Sequence, residues 1–244
     1  MADEKTDYGL DAPGLVRGFL FCGPVLIAAG YFLRMWATAR GIGPLIGISY
    51  SFFYTGIVLF AESFLMMASS YYGKFRARDR LLDGLNLRGD ETVLDVGCGH
   101  GLLLVGAAKR LPSGRSIGID LWSQVDQGNN SRQATLRNVA IEGVAERVEI
   151  HDGDMRNLPL AGASVDAVVA NLAIHNISSR DARREAVAEI VRVLKPGGQV
   201  ALMDFKHVGQ YVEDLKKYGI ADARKSGLIF WIFPPVRVAL GCKP

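Results

Sequence analysis

Residues Val93 to Gly101 read "VLDVGCGHG", and this stretch decides the fold. An apolar, strand-like run ends in three glycines at alternate positions, with an acid two residues before the first of them. A strand–turn–helix unit of this kind lets backbone N–H groups and the start of a helix come close to a ligand. The dinucleotide fingerprint G-x-G-x-x-G/A is only half met. Gly97 and Gly99 fit, but the sixth position is Leu102, and the third glycine falls at 101. No G-x-x-x-x-G-K-[ST] occurs, which argues against a nucleoside triphosphate.

Asp95 narrows the choice further. An acid at the end of this strand repels a pyrophosphate and suits a cationic ammonium group, met directly or through water. Asp120, 25 residues later, ends the next apolar run, where an acid commonly accepts ribose hydroxyls. A ligand with a ribose, a positive charge and no phosphates is S-adenosylmethionine (SAM).

Outward from the turn, short apolar strands alternate with helical patterns. "FRARDRLLDGLNL" predicts an amphipathic helix ending near Gly84. Strands are predicted at 92–97, 116–120, 148–153, within 165–174, and at 199–205; helices at 101–111, roughly 129–142, and 181–194. In the last helix Ala186, Val187, Ile190, Val191 and Leu194 form one stripe. This alternation means a doubly wound parallel α/β sheet. Lys195-Pro196-Gly197-Gly198 is a turn that reverses the chain before the fifth strand. "GLIFWIF" and "VRVALGCK" flank Pro234-Pro235 with no room for a crossover helix, so the tail reads as an antiparallel hairpin. Trp231 and Phe230 are assigned to the core by default.

The first seventy residues have a different character. The chain is 49% hydrophobic over 244 residues, and the excess lies here. Residues 18–33 carry no charge between Arg17 and Arg34, and as a helix span about 24 Å, short of a ~30 Å hydrocarbon core. Flanking arginines extend such a span by snorkelling. Residues 41–61 form a second uncharged stretch. Arg34, Trp36 and Arg40 between them suit interface anchors. The expectation is a membrane-anchoring helical hairpin over 1–70, with spans at about 18–34 and 41–62. A re-entrant pair and the buried helices of a lid remain alternatives. A signal peptide does not fit the acidic leading region (Asp3, Glu4, Asp7, Asp11). Lys74, Arg76, Arg78 and Arg80 after the second span favour a cell-membrane, multi-pass protein with its catalytic domain facing the cytoplasm. A net charge of +3 gives no nucleic-acid signature, and no nucleic-acid partner is expected. Cys22, Cys98 and Cys242 are scattered, so neither a disulfide framework nor a metal site is expected.

"VLDVGCGHG", "GID", "GDM" and "VLKPGG", in this order, resemble the class I SAM-dependent methyltransferases over roughly residues 72–244. The resemblance implies a Rossmann-like, seven-stranded sheet ending in an antiparallel hairpin, and a methyltransferase domain over 71–244. It places Asp95, Gly97, Gly99 and Gly101 around the amino-acid half of SAM, and Asp120 on the ribose with Leu121 or Trp122 beside the adenine. Asp154, with Asp152 as its competitor, falls at the adenine amino group beside the Met155 backbone. Asn171 falls by the methionine part, where it opens the acceptor pocket. Tyr72 and Lys74 fall on a helix that closes over SAM. S-adenosylhomocysteine is the implied product. The family pattern says nothing about the hairpin.

His175 and Asn176 in "NLAIHNI" follow the fourth strand, at the carboxyl edge where ligands of such sheets bind. His175 is either a general base or a pocket-lining histidine, and the sequence weighs the two equally. With Asn171 and Tyr72 it makes the candidate catalytic set. His207 reads as a loop residue and His151 as a surface one. The expected activity is methyl transfer to a lipophilic small molecule or lipid, at N, S, O or a ring carbon. A non-catalytic SAM-binding scaffold, a protein methyltransferase and a nicotinamide-dependent reductase are the alternatives; Leu102 and Asp95 argue against the last.

Overall fold

The computed structural model describes residues 5–123 and 130–244. The chain divides into two compact units, Leu10–Tyr71 and Met1–Gly9 with Tyr72–Pro244.

The first unit is a pair of helices, α1 (Pro13–Arg40) and α2 (Gly43–Ala68). Each has proline in its first turn, where the missing N–H costs nothing. Gly41 ends α1 with φ 68°, so the link is only Gly41-Ile42. Both helices are long and apolar enough to cross a bilayer. They run past the expected 18–34 and 41–62, because Arg17, Arg34 and Arg40 bound the uncharged stretches but do not interrupt a helix. Arg34, Trp36 and Arg40 accordingly lie in α1, not in a link; Arg34 stacks on Tyr50 and Arg40 on Trp36.

The helices meet along a seam of small residues seven apart, with Gly23, Gly30 and Ala37 on α1 and Ser49, Gly56 and Ser63 on α2. A Cβ on Gly30 would stand 2.7 Å from Phe53 N and Ser49 O, so only glycine allows this approach. Ser49 and Ser63 are buried because each hydroxyl donates to a carbonyl of its own helix, Ile46 O and Phe60 O, both at 2.6 Å. The large apolar side chains point outward, Phe21 at 72% and Phe32 at 66% exposure. A lid's core helices would bury them. Pro24, Ile27, Tyr31, Phe32, Phe53 and Phe60 line an apolar groove of about 490 Å³.

A π-helical turn, Ser69–Gly73, precedes α3 (Lys74–Asp83). The second unit then runs β1 (Thr92–Val96), α4 (Leu102–Ala108), β2 (Arg115–Asp120), α5 (Arg132–Ile141), β3 (Val148–Asp152), β4 (Val165–Asn171), α6 (Arg180–Val193), β5 (Leu194–Asp204), α7 (Val208–Lys217), β6 (Arg224–Lys225) and β7 (Arg237–Cys242). The sheet order is β3-β2-β1-β4-β5-β7-β6, parallel except for β7, which is antiparallel to both β5 and β6. Ser131 and Ser179 cap α5 and α6 with their hydroxyls. The expected start of α5 at Asn129 lies outside the described residues.

Strand alternation sorts the core into two layers. Leu94, Val168 and Leu202 face α6 and α7, while Val93, Val169 and Met203 face α3 and α4. Because the order reverses between β1 and β4, the crevice for a ligand opens at the carboxyl ends of these strands.

Four sequence readings need correction. The Lys195–Gly198 turn lies inside β5, as an irregularity in its pairing with β4; Lys195 Nζ holds Asp166 at 2.9 Å. The tail hairpin's first strand is Arg224–Lys225, and "GLIFWIF" contributes only the bridge Ile229–Val236. Trp231 and Phe230 are exposed instead of core, with the Arg80 guanidinium over the Trp231 ring. The N-terminal segment does not run unbroken to residue 70, because Asp7–Gly9 pack on the second unit. The Asp7 N–H donates to Asn138 Oδ1, and Lys74 Nζ donates to the carbonyls of Tyr8 and Gly9.

Candidate functional site

The glycine turn follows β1 and is pinned from below, since Gly97 N and Cys98 N both donate to Ile119 O on β2. Gly97, Gly99 and Gly101 all have positive φ (73°, 50° and 84°), which L side chains rarely adopt. A Cβ on Gly97 would also collide with Ala173 after β4. The turn therefore needs glycine at 97 for two separate reasons.

Asp95 is buried, and its Oδ2 accepts from Leu104 N at 2.9 Å, at the start of α4. Burial pushes the carboxyl up to about 8; the Leu104 hydrogen bond opposes this and the charge of Asp120 adds to it. Such a carboxyl is poised to ionise beside a cation. The same burial pushes the Cys98 thiol up, away from reactivity.

Asp120 ends β2 and ties the turn together. Its Oδ2 accepts from Gly99 N (2.8 Å), and its Oδ1 from Trp122 N (2.6 Å) and Asn130 Nδ2 (3.3 Å). Three of about four acceptor positions are thus used, and one remains for a hydroxyl. Trp122 Nε1 donates to Asp152 Oδ1, so the indole bridges the ends of β2 and β3, while Leu121 is exposed beside it. Asp154 is gripped by Arg156 through both carboxylate oxygens, and this pairing holds it below the usual carboxylate range. Met155 Cε lies 3.4 Å from where a Gly97 Cβ would be, so Met155 borders the turn.

Two buried acceptors here have no hydrogen-bond partner among the described residues, Asn171 Oδ1 at the end of β4 and Asn130 Oδ1 beside Asp120. Orphaned buried oxygens are costly and mark places where a ligand donor belongs. Beyond Asn171, His175 sits in a short 3-10 turn, with Nδ1 2.9 Å from Asp204 Oδ1 at the end of β5. The approach lacks hydrogen-bond alignment.

The other candidates are placed differently. Tyr72 is 73% exposed. Lys74 is turned inward onto Tyr8 and Gly9, and Asn176 is exposed. His151 pairs with Glu149, and His207 starts α7 at φ 60°. Burial lowers the His207 pKa. Asp204, Asn130, Arg156 and His100 escaped the sequence reading. His100 Nδ1 lies 3.1 Å from Asp7 O and Asn138 Nδ2 donates to His100 O, so residue 7 is strapped onto the glycine turn. Among the described residues, no three His, Cys, Asp or Glu side chains gather as a metal-holding group.

This arrangement resembles that of the class I SAM-dependent methyltransferases. Residues 94–202 match the family described as "Methyltransferase domain". An arsenite methyltransferase of Halobacterium salinarum is 32% identical over 127 residues, 52% of this chain and 30% of that protein. The chain spans between 30% and 57% of the length of the curated relatives that head the comparison. A SAM-dependent methyltransferase from Aquifex aeolicus shares the fold at a TM-score of 0.53 and 21% identity, over 68% of this chain and 89% of that one. The [4+2]-cyclase SpnF shares it at 0.56 and 19% identity, over 70% and 81%. A fold that also serves a cyclase does not by itself fix the reaction, so function must be argued from the site.

Proposed function

We propose that this chain is a membrane-anchored methyltransferase that uses SAM to methylate a lipophilic small molecule or lipid. The observation that carries the reading is the buried Asp95 carboxyl and the unpartnered Asn171 Oδ1, at the adjacent carboxyl ends of β1 and β4. The pair suits a ligand ammonium. Asp120 would accept a ribose hydroxyl, with Trp122 and Met155 beside the adenine and Asp154 or Asp152 near its amino group. SAM supplies an electrophilic methyl group on a sulfonium, already activated by its charge. The chain's own part is to hold and orient the donor, exclude water and present the acceptor in line. His175 and Asn171 border the acceptor's side.

The membrane part rests on the outward-facing apolar residues of α1 and α2, their small-residue seam and the apolar groove. The basic run after the hairpin supports a cytoplasmic domain through Arg76 and Arg80, which are exposed; Lys74 is buried and Arg78 pairs with Asp79. Two measurements on the purified full chain test the reading. Calorimetry should show binding of SAM and none of NAD, and the protein should float with vesicles on a density gradient. Binding of NAD without SAM would remove the donor assignment; failure to float would remove the anchor.

A further inference from the structure

Asp204 is almost wholly buried at the end of β5, and four donors compensate its burial. They are the N–H groups of Phe205 (2.8 Å), Lys206 (3.3 Å) and His175 (3.2 Å), and the Tyr211 hydroxyl (3.1 Å). The same carboxylate lies 2.9 Å from His175 Nδ1, and Phe205 packs edge-on against the imidazole at 4.6 Å. Asp204 thus holds the backbone N–H of His175 and lies close beside Nδ1 of its ring, without hydrogen-bond alignment. Nε2, the ring's other nitrogen, has no hydrogen bond among the described residues. Other charged or titratable groups nearby are Lys206 and His207 in the loop after β5, Tyr211 on α7, Arg183 on α6, and Arg237, the register partner of Asp204 on β7.

A carboxylate behind Nδ1 fixes the proton there and leaves Nε2 as a base. The bent approach of Nδ1 to Asp204 is what an unliganded site shows before the reacting complex aligns it. Thiols and other soft nucleophiles attack a sulfonium methyl without such help, and a neutral amine loses its proton only after attack. A hydroxyl is the acceptor that gains from a base in the transition state. From this geometry we infer that the acceptor is a hydroxyl compound, phenolic or enolic, deprotonated by His175, with Asp204 as the positioning residue. The acceptor oxygen forms the O–CH3 bond while the methyl–sulfur bond breaks with its electron pair passing to sulfur. The hydroxyl proton moves to Nε2. The inference rests on the methyltransferase reading above and names the substrate class for that site.

The test uses the full chain in lipid nanodiscs with 4-heptylphenol and 4-heptylthiophenol as matched probes. The phenol should be methylated. Asp204→Asn and His175→Ala should each lower kcat on the phenol by about 100-fold or more, and cost the thiol at least about tenfold less. Affinity for SAM should hold in both variants, which also reports that they fold. Added imidazole should restore phenol turnover to His175→Ala. Nitrogen-15 NMR with S-adenosylhomocysteine and 4-heptylphenol bound should show the His175 proton on Nδ1 in the wild type and a mixed tautomer in Asp204→Asn. Four results would each overturn the inference: a phenol left unmethylated by SAM-bound protein, equal losses on both probes, no imidazole rescue, or an unchanged tautomer. Failure to bind SAM at all would instead overturn the reading beneath it.

Discussion

Replacing Asp95 with asparagine probes the donor site through its protons. The buried carboxyl is raised to about 8, chiefly by desolvation. At pH 7 roughly nine-tenths of it is therefore protonated in the free protein. With the SAM ammonium beside it, as proposed, the charged form is favoured and binding should expel that proton. Between about pH 5.5 and 7, SAM affinity should rise about tenfold per pH unit, or ~1.4 kcal/mol. Above that window the ligand's own α-amino group begins to titrate, near 7.7–8.0. Calorimetry at pH 6.5, repeated in buffers of different ionisation enthalpy, should report release of about one proton. In Asp95→Asn the side-chain amide keeps an oxygen for the Leu104 N–H, so the start of α4 is preserved while the release disappears. The ligand-free protein should show the matching effect. The folded-state pKa is raised above the unfolded one, so the stabilisation is complete below about pH 4 and is lost as pH rises toward 8. The thermal midpoint should fall across that range in the wild type and less in Asp95→Asn. A pH-independent affinity with no proton release would mean that Asp95 does not meet the ligand's ammonium.

Three further substitutions test the ribose site, the N-terminal strap and the helix seam. Asp120→Ala strips an acceptor from Gly99 N, Trp122 N and Asn130 Nδ2. It should weaken SAM binding by about 10- to 100-fold, and an unchanged affinity would remove Asp120 from the ribose site. Asn138→Ala removes the side-chain bridge from Asp7 N and O to the His100 carbonyl, leaving only the direct His100 Nδ1–Asp7 O contact. It should cost about 1–3 kcal/mol, lowering the thermal midpoint by a few degrees per kcal/mol, whereas an unmoved midpoint would mean that the strap is not held. Gly30→Val forces a branched side chain against Phe53 N and Ser49 O. The α1–α2 seam should open and trypsin should cut after Arg40 faster than in the wild type; equal cutting would contradict the close seam.

The alternating strands and helices were legible because burial leaves a period in the sequence, and the glycine turn because its backbone excludes other residues. What escaped has no local signature. Asp204 and His175 lie 29 residues apart and meet only because β4 and β5 pair in one register. Asn138 reaches Asp7 across 131 residues. Helix α7 has buried Val208, Tyr211 and Leu215 at helical spacing, yet it opens on His207 in a left-handed conformation and carries no capping side chain, so nothing announced its start. The two-residue strand β6 is too short for any periodicity, and the apolar "GLIFWIF" run drew the assignment instead. The inward turn of Lys74, expected over SAM, has no local signal because its partners are carbonyls of a segment 65 or more residues earlier.

Methyl-labelled SAM tests whether the site transfers a methyl group to a lipophilic acceptor. The full chain would be incubated with labelled SAM and an extract of membrane lipids and lipophilic metabolites, and all products separated. Label should appear in an organic-extractable compound, in step with S-adenosylhomocysteine formed, and both should be lost in Asp120→Ala. SAM that is bound but never consumed would contradict methyl transfer and leave a scaffold. Label confined to protein would contradict the acceptor class.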